Sequence, residues 1–183
     1  MKVAVCDYGA GNLRSVVVAF GRLGVEVHAT QRAEDVATAD LAVLPGVGSA
    51  GSAMTGLRAR GLDEAIRERV DAGGATLGIC LGLQLALEES EEDGGVQGLG
   101  VLPGRAVRLR EGRVPRIGWA PVGPSGEAFY FAHSYAAETE AATAYSEGVV
   151  AIAESGSFVG VQFHPEKSGA AGARLLERCL SRA

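Results

Sequence analysis

The sequence predicts an α/β protein built on an open, mostly parallel, doubly wound sheet with a mixed or antiparallel C-terminal half. Three observations predict it. Apolar runs alternate with helix-period segments through residue 89, and parallel neighbours need such crossovers. Two of the early runs end on glycine-rich loops, at the strand ends where open α/β sheets hold ligands. From Ala106 onward the runs become short and crowded, separated by tight Gly, Pro and Ser turns.

Lys2 to Cys6 reads as the first strand, followed by the turn Asp7-Tyr8-Gly9-Ala10-Gly11-Asn12. Asn12 is placed to cap a helix whose apolar residues Leu13, Val16, Val17, Phe20 and Leu23 keep helical spacing. The paired glycines 9 and 11 suggest a dinucleotide loop, but the third glycine of G-x-G-x-x-G falls at Arg14, so the signal is weak. Gly24 ends the helix and Val25 to Ala29 forms a second strand. Ala39 to Leu44 is the third, closing on Pro45-Gly46-Val47-Gly48-Ser49. That loop is either a plain strand-to-helix turn or a set of amides facing a reacting carbonyl. An amphipathic helix spans Gly61 to Ala72, with Asp63 as a possible cap. The run Ala75–Ile79 then leads through Cys80 into a helix over Leu81–Glu89, and Glu88 to Asp93 reads as its solvated acidic end.

Short strands are expected at Ala106–Leu109, Ile117–Val122, Glu127–Phe131, Thr143–Ser146, Val149–Ala153 and Phe158–Phe163. They are expected to lie partly over the sheet's edge. A last helix from Gly169 to Leu180 turns Leu175, Leu176, Cys179 and Leu180 inward.

The length of 183 residues and 47% hydrophobic content suit one domain, residues 1–183, with a sizeable core. A net charge of −5 with no basic block argues against nucleic acid as a partner. No apolar run reaches the roughly 20 residues of a membrane helix, and the chain enters a strand at once, leaving no room for a signal peptide. Cys6, Cys80 and Cys179 are odd in number and scattered, which fits neither a disulfide framework nor zinc ligands. The expectation is a cytoplasmic protein with no metal and no cofactor.

Cys80 carries the chemistry. Gly78 and Gly82 bracket it where a strand turns into a helix, the pattern of a nucleophile elbow. Flanking positions in so tight a turn must be nearly free of side chain, and a helix N-terminus favours the thiolate. A buried structural cysteine is the plainer alternative. The base must be one of three histidines. His28 sits at an ordinary strand position, and His133 follows an aromatic strand. His164 closes the last apolar run, with Pro165 holding it extended. In an extended segment Glu166 projects to the same side, so its carboxylate can select the ring tautomer. His164 is therefore favoured over His133. Nucleophile, base and orienter point to acyl transfer or amide hydrolysis, with Leu81 and the Gly46-Val47-Gly48 amides as oxyanion donors.

At this point Gly78-Ile79-Cys80-Leu81-Gly82-Leu83-Gln84, with His164-Pro165-Glu166, resembles the class I (triad) glutamine amidotransferases. Three further stretches resemble the glutaminase subunit of imidazole glycerol phosphate synthase of histidine biosynthesis. They are Asp7 to Ser15, Leu44-Pro45-Gly46-Val47-Gly48 and His164-Pro165-Glu166-Lys167-Ser168, and the likeness runs from about residue 2 to the end. The resemblance implies a flavodoxin-like amidotransferase architecture with Cys80 as nucleophile, His164 as base and Glu166 as orienter. It implies an oxyanion hole at Gly46, Val47, Gly48 and Leu81, and contacts to L-glutamine from Gln84, Glu92, Ser134 and Tyr135. It places Asn12, Trp119, Tyr135 and Lys167 toward a partner, a (β/α)8-barrel cyclase subunit that takes up the ammonia. The chain departs from the family at Pro115-Arg116-Ile117-Gly118-Trp119-Ala120, where Pro-His-x-Gly-Trp-Asn is usual, and it is short around Gly123 to Glu127.

Rivals remain at this level. The glutaminase of pyridoxal phosphate synthase has Gly-Gly-Glu-Ser where this chain has Pro45-Gly46-Val47-Gly48. Stand-alone elbow-cysteine hydrolases lack the terminal His-Pro-Glu. A silent scaffold module typically loses one of the three reacting residues, and here all three stand in place.

Overall fold

In a computed structural model, which describes residues 1–9 and 12–183, the expected alternation is present. Ala10 and Gly11 of the expected first turn lie outside the described residues. The elements run β1 (Lys2–Cys6), α1 (Leu13–Gly21), β2 (Glu26–Thr30), α2 (Ala33–Thr38), β3 (Leu41–Leu44), α3 (Ala50–Arg58), α4 (Leu62–Asp71), β4 (Thr76–Ile79) and α5 (Leu81–Ala86). Then come β5 (Glu89–Ser90), β6 (Val96–Gln97), β7 (Arg105–Arg108), β8 (Arg116–Val122), β9 (Glu127–His133) and β10 (Tyr135–Glu138). The chain ends with β11 (Ala142–Ser146), β12 (Val149–Ser155), β13 (Phe158–Val161) and α6 (Gly169–Leu180).

The main sheet has seven strands in the order β11-β12-β13-β4-β3-β1-β2. From β13 to β2 every pair is parallel, while β12 pairs antiparallel with β13 and β11 with β12. Side chains of its central strands alternate between two covered faces. Val3, Val5, Leu41, Val43, Leu77 and Ile79 join one core with α1, α6 and the β8–β9 hairpin. Cys6, Ala42 and Leu44 join the other with Val36 of α2 and with α3, α4 and Leu81 and Leu85 of α5. Phe163 ties the hairpin down, stacked on Phe129 at 4.1 Å and edge-on to Phe131 at 5.6 Å. Burial raises the Cys6 thiol to about 12 and the Cys179 thiol to about 11, as expected of core-filling cysteines.

The C-terminal half is mixed as expected, and its role is larger than an edge covering. β13 returns to the middle of the main sheet beside β4, with Val161 opposite Ile79. A second sheet, β10-β7-β5-β6, packs Ala106 and Ala137 against Phe158 and Leu83. Several local expectations are corrected. Asn12 stands at the start of α1 but makes no side-chain cap bond. Gly61, at a φ of 64°, is the residue before α4, and Asp63 instead sits inside its first turn, 3.5 Å from Arg67. α2 and α3 escape the apolar pattern because one is six residues long and the other carries Gly51 and Gly56. α5 stops at Ala86, so the acidic run is not a solvated helix end. Its carboxylates bind backbone: Glu92 accepts from Ala50 N at 2.8 Å, and Asp93 from Gly51 N at 2.9 Å, at the N-terminus of α3.

Candidate active site

Cys80 lies between β4 and α5 with φ 52° and ψ −104°. A residue with a Cβ holds such a backbone only where its surroundings fix it. They do so here through absent side chains. A Cβ on Gly78 would come within 2.7 Å of the Phe158 ring, and one on Gly82 would lie 2.0 Å from the Leu44 carbonyl oxygen. The Cys80 amide donates to Val161 O at 2.7 Å, and its carbonyl receives Leu83 N and Gln84 N. The elbow expected from the glycine bracket is therefore the geometry found.

His164 follows β13, the parallel neighbour of β4, so nucleophile and base leave adjacent strand ends although they are far apart in sequence. Its Nδ1 lies 2.9 Å from Glu166 Oε1, and both side chains are buried. His164 is extended, at φ −101° and ψ 95°, but Pro165–Lys167 is a 3-10 turn rather than a continued strand. The turn, not strand parity, brings Glu166 back beside the ring. Ser168 fixes it, donating from Oγ to His164 O at 2.7 Å and accepting from Tyr130 N at 2.9 Å. Burial alone lowers the affinity of His164 for a proton. Hydrogen bonds to Cys80 and Glu166, with the negative charge of each, outweigh it and push the imidazole up to about 9. With Nδ1–H held by the carboxylate, Nε2 is left for the sulfur. The second carboxylate oxygen, Glu166 Oε2, is buried with no partner among the described residues.

The other histidines are placed elsewhere. His28 is half-exposed on β2, 3.8 Å from Asp35. His133 is buried in the wall of the site, donating Nδ1–H to Tyr135 O at 2.8 Å. Burial and the nearby Arg116 and His164 charges, opposed by that hydrogen bond, push it down to about 4. It stays neutral where His164 is charged.

A cleft of about 330 Å³ opens beside Cys80. The loop 46–48, Leu81, Gln84, Glu92, Ser134 and Tyr135 all line it. Leu81 begins α5, so its amide has no acceptor within the helix. Gly46 packs directly on this turn: a Cβ there would sit 2.3 Å from Leu81 Cβ and 2.7 Å from Gly82 N. Tyr8 donates its hydroxyl to Pro45 O from beneath. Gly46 is thus held in place by its contacts, while Gly48 takes the left-handed backbone at φ 108°. Glu92 couples to the same loop through Ala50 N, and burial, with the Asp93 charge, raises its carboxyl despite that bond.

The residues expected to face a partner divide in two. Trp119 is 59% exposed and meets Tyr130 edge-on at 6.1 Å, while Lys167 Nζ lies 5.9 Å from the same ring. Asn12 is the residue before α1. Ser168 and Tyr8 lie within the motif stretches, but the sequence assigned them no role at the site; Gln162 is a lone amide inside the apolar run Val159–Phe163 and was not singled out. Among the described residues no group of acidic, histidine or cysteine side chains is arranged to hold a metal, and no helix is long and apolar enough to cross a membrane.

A charged imidazole between a carboxylate and a thiol, beside two sets of backbone amides, is equipped to open an amide and protonate the nitrogen that leaves. Comparison with known proteins agrees with this geometry. The family model for glutamine amidotransferase class-I matches residues 4–183. The chain is 44% identical to the imidazole glycerol phosphate synthase subunit HisH of Chlorobaculum tepidum, covering 96% of this chain and 97% of that one. It is 43% identical to the HisH of Methanothermobacter thermautotrophicus, over 95% of each. A crystal structure of a glutamine amidotransferase superposes with a TM-score of 0.82 at 23% identity, covering 98% and 97% of the two chains. The PurLQS structure from Thermotoga maritima gives 0.72 at 17%, covering 98% of this chain and 97% of that one. With the elbow, the adjacent base and these full-length matches in hand, the chain belongs to the class-I glutamine amidotransferases, in the branch of the imidazole glycerol phosphate synthase subunit HisH.

Proposed function

We propose that residues 1–183 form one glutaminase domain that hydrolyses L-glutamine to glutamate and ammonia through a thioester on Cys80. The observation that carries this is the buried line from Glu166 through His164 to Cys80, at the ends of adjacent parallel strands. Because His164 holds its proton up to about 9, the ring that faces the Cys80 sulfur is charged at neutral pH. The thiolate attacks the carboxamide carbon, and the oxyanion is met by the Leu81 amide and an amide of the 46–48 loop. His164 passes its proton to the departing nitrogen and ammonia leaves. Water, deprotonated by the now neutral ring, opens the thioester and releases glutamate. Gln84, Glu92, Ser134 and Tyr135 hold the substrate's amino-acid end.

The ammonia passes to a (β/α)8-barrel cyclase subunit, which makes imidazole glycerol phosphate and the aminoimidazole carboxamide ribonucleotide in the cytoplasm. HisH relatives, named as subunits of a synthase, support a partner of this kind. The surface for it includes Asn12, Trp119, Tyr135 and Lys167. Docking there biases the Val47–Gly48 peptide toward the reacting carbonyl, at a glycine of φ 108° that follows the part of the loop pinned at Pro45 and Gly46. One misplaced oxyanion donor is worth roughly two to three orders of magnitude in rate. Steady-state glutamate production, measured with and without the barrel subunit and its nucleotide, tests this. Strong activation is expected; full activity of the isolated chain would discard partner control.

A further inference from the structure

Behind the cleft lies a polar chain that the triad does not use. The Tyr135 carbonyl accepts from His133 Nδ1 and from Gln84 Nε2, each at 2.8 Å. A carbonyl only accepts, so Gln84 must turn its nitrogen toward it. The same Gln84 nitrogen lies 3.3 Å from Gln162 Oε1. An oxygen accepting on that side leaves Gln162 Nε2 on the other, where it lies 3.6 Å from Cys80 Sγ. Every bond direction thus follows from one fixed acceptor. Gln162 is fully buried, so its amide has no water to turn to.

We propose that Gln162 is a positioning residue for the nucleophile: its amide N–H holds the Cys80 sulfur toward His164 and favours the thiolate. Gln84 locks the direction of that amide, so the glutamine cleft and the sulfur share one hydrogen-bond chain. One observation supports a preference for the charged form. The thiol's own donor contact, to Ala132 O, is long at 3.9 Å. Loss of the S–H forfeits only that weak bond, while the bond from Gln162 becomes charge-assisted and strengthens. The inference rests on Cys80 being the nucleophile and deepens that reading.

The test is iodoacetamide alkylation of the intact chain as a function of pH, with the labelled cysteine identified by peptide mass spectrometry. Glutamate production is followed in parallel with the barrel subunit present. Gln162→Met keeps length and burial but removes the donor. It is expected to raise the pH of half-maximal Cys80 labelling by about one unit and to lower kcat roughly tenfold with little change in KM. Gln162→Glu, which sets an acceptor or a negative charge against the sulfur, is expected to move the profile further the same way. An unchanged profile in a folded Gln162→Met variant overturns the proposal and leaves Gln162 as core packing. Should that variant not fold, Gln84→Met decides: it releases the Gln162 amide to turn over, and a profile identical to wild type again overturns the proposal. Wild-type labelling at Cys6 or Cys179 instead of Cys80 would overturn the nucleophile assignment itself, a distinct outcome.

Discussion

Replacing Gly82 by alanine tests whether the elbow and the oxyanion loop are positioned by backbone contact. The new Cβ would lie 2.0 Å from Leu44 O, against the 3.0 Å below which real Cβ contacts essentially never fall. Relief needs a movement of about 1 Å, and the obstacle is a strand carbonyl rather than a flexible side chain. Leu44 immediately precedes Pro45, so either the start of α5 or the 46–48 loop must give way. Overpacking of this kind costs about 1–3 kcal/mol, and about 1 Å of misplacement at reacting groups costs about 100-fold in rate. Gly82→Ala should therefore remain folded, lose a few degrees in Tm for each kcal/mol, and lose about two orders of magnitude in glutamate production with the barrel subunit present. Gly21→Ala is the control, since a Cβ there meets only Val27 at 4.0 Å at the end of α1. That variant should keep its activity and gain up to about 1 kcal/mol of stability. A folded Gly82→Ala enzyme within threefold of wild type would refute the close-contact account.

His164→Ala should lower turnover by about 10⁴-fold or more, and His133→Ala far less; equal losses in steady-state assays would reopen the choice of base. Glutaminase activity should fall as pH rises through about 9, where the imidazolium loses its proton. In Glu166→Gln, which lacks one of the charges holding that proton, the alkaline limb of the rate profile should move to lower pH. The stability that His164 gains from its partners should be complete below its ordinary 6.5 and lost as pH rises through about 9, a slope that chemical denaturation should find missing in His164→Ala. His133 has the opposite sign: its shift from 6.5 to about 4 destabilises the fold as pH falls across that range, by about 3 kcal/mol at most, and His133→Gln should flatten the loss.

The parts of the molecule that repeat a simple period were legible in the sequence. Strands β1, β3 and β4 declare themselves as apolar runs, and α6 by its inward leucines. The Cys80 turn was legible for a different reason, since Gly78 and Gly82 are demanded by contacts with Phe158 and Leu44 that admit no side chain. What stayed hidden depends on distant partners. β5 and β6 are two residues each and exist only because β7 and β10 complete their sheet. The acidic run looked solvated because its donors, Ala50 N and Gly51 N, lie some forty residues earlier. Glu166 was rightly set beside His164 for a reason that does not operate, because a 3-10 turn replaces the assumed strand.

Those hidden contacts concentrate around the groups that move charge. Tyr130 exemplifies this: its ring lies between exposed Trp119 and Lys167, while its backbone receives His164 N at 2.8 Å and donates to Ser168 Oγ. The base is therefore hung from the same residue whose side chain forms the surface cluster. On the other side of Cys80, Tyr8 grips Pro45 from the segment that precedes Asn12, and Glu92 grips Ala50 just beyond the loop. Base and oxyanion loop are each one hydrogen bond from a surface assigned to the partner or a residue assigned to the substrate. On the proposed reading, pressure on either surface would act on groups that the reaction already uses.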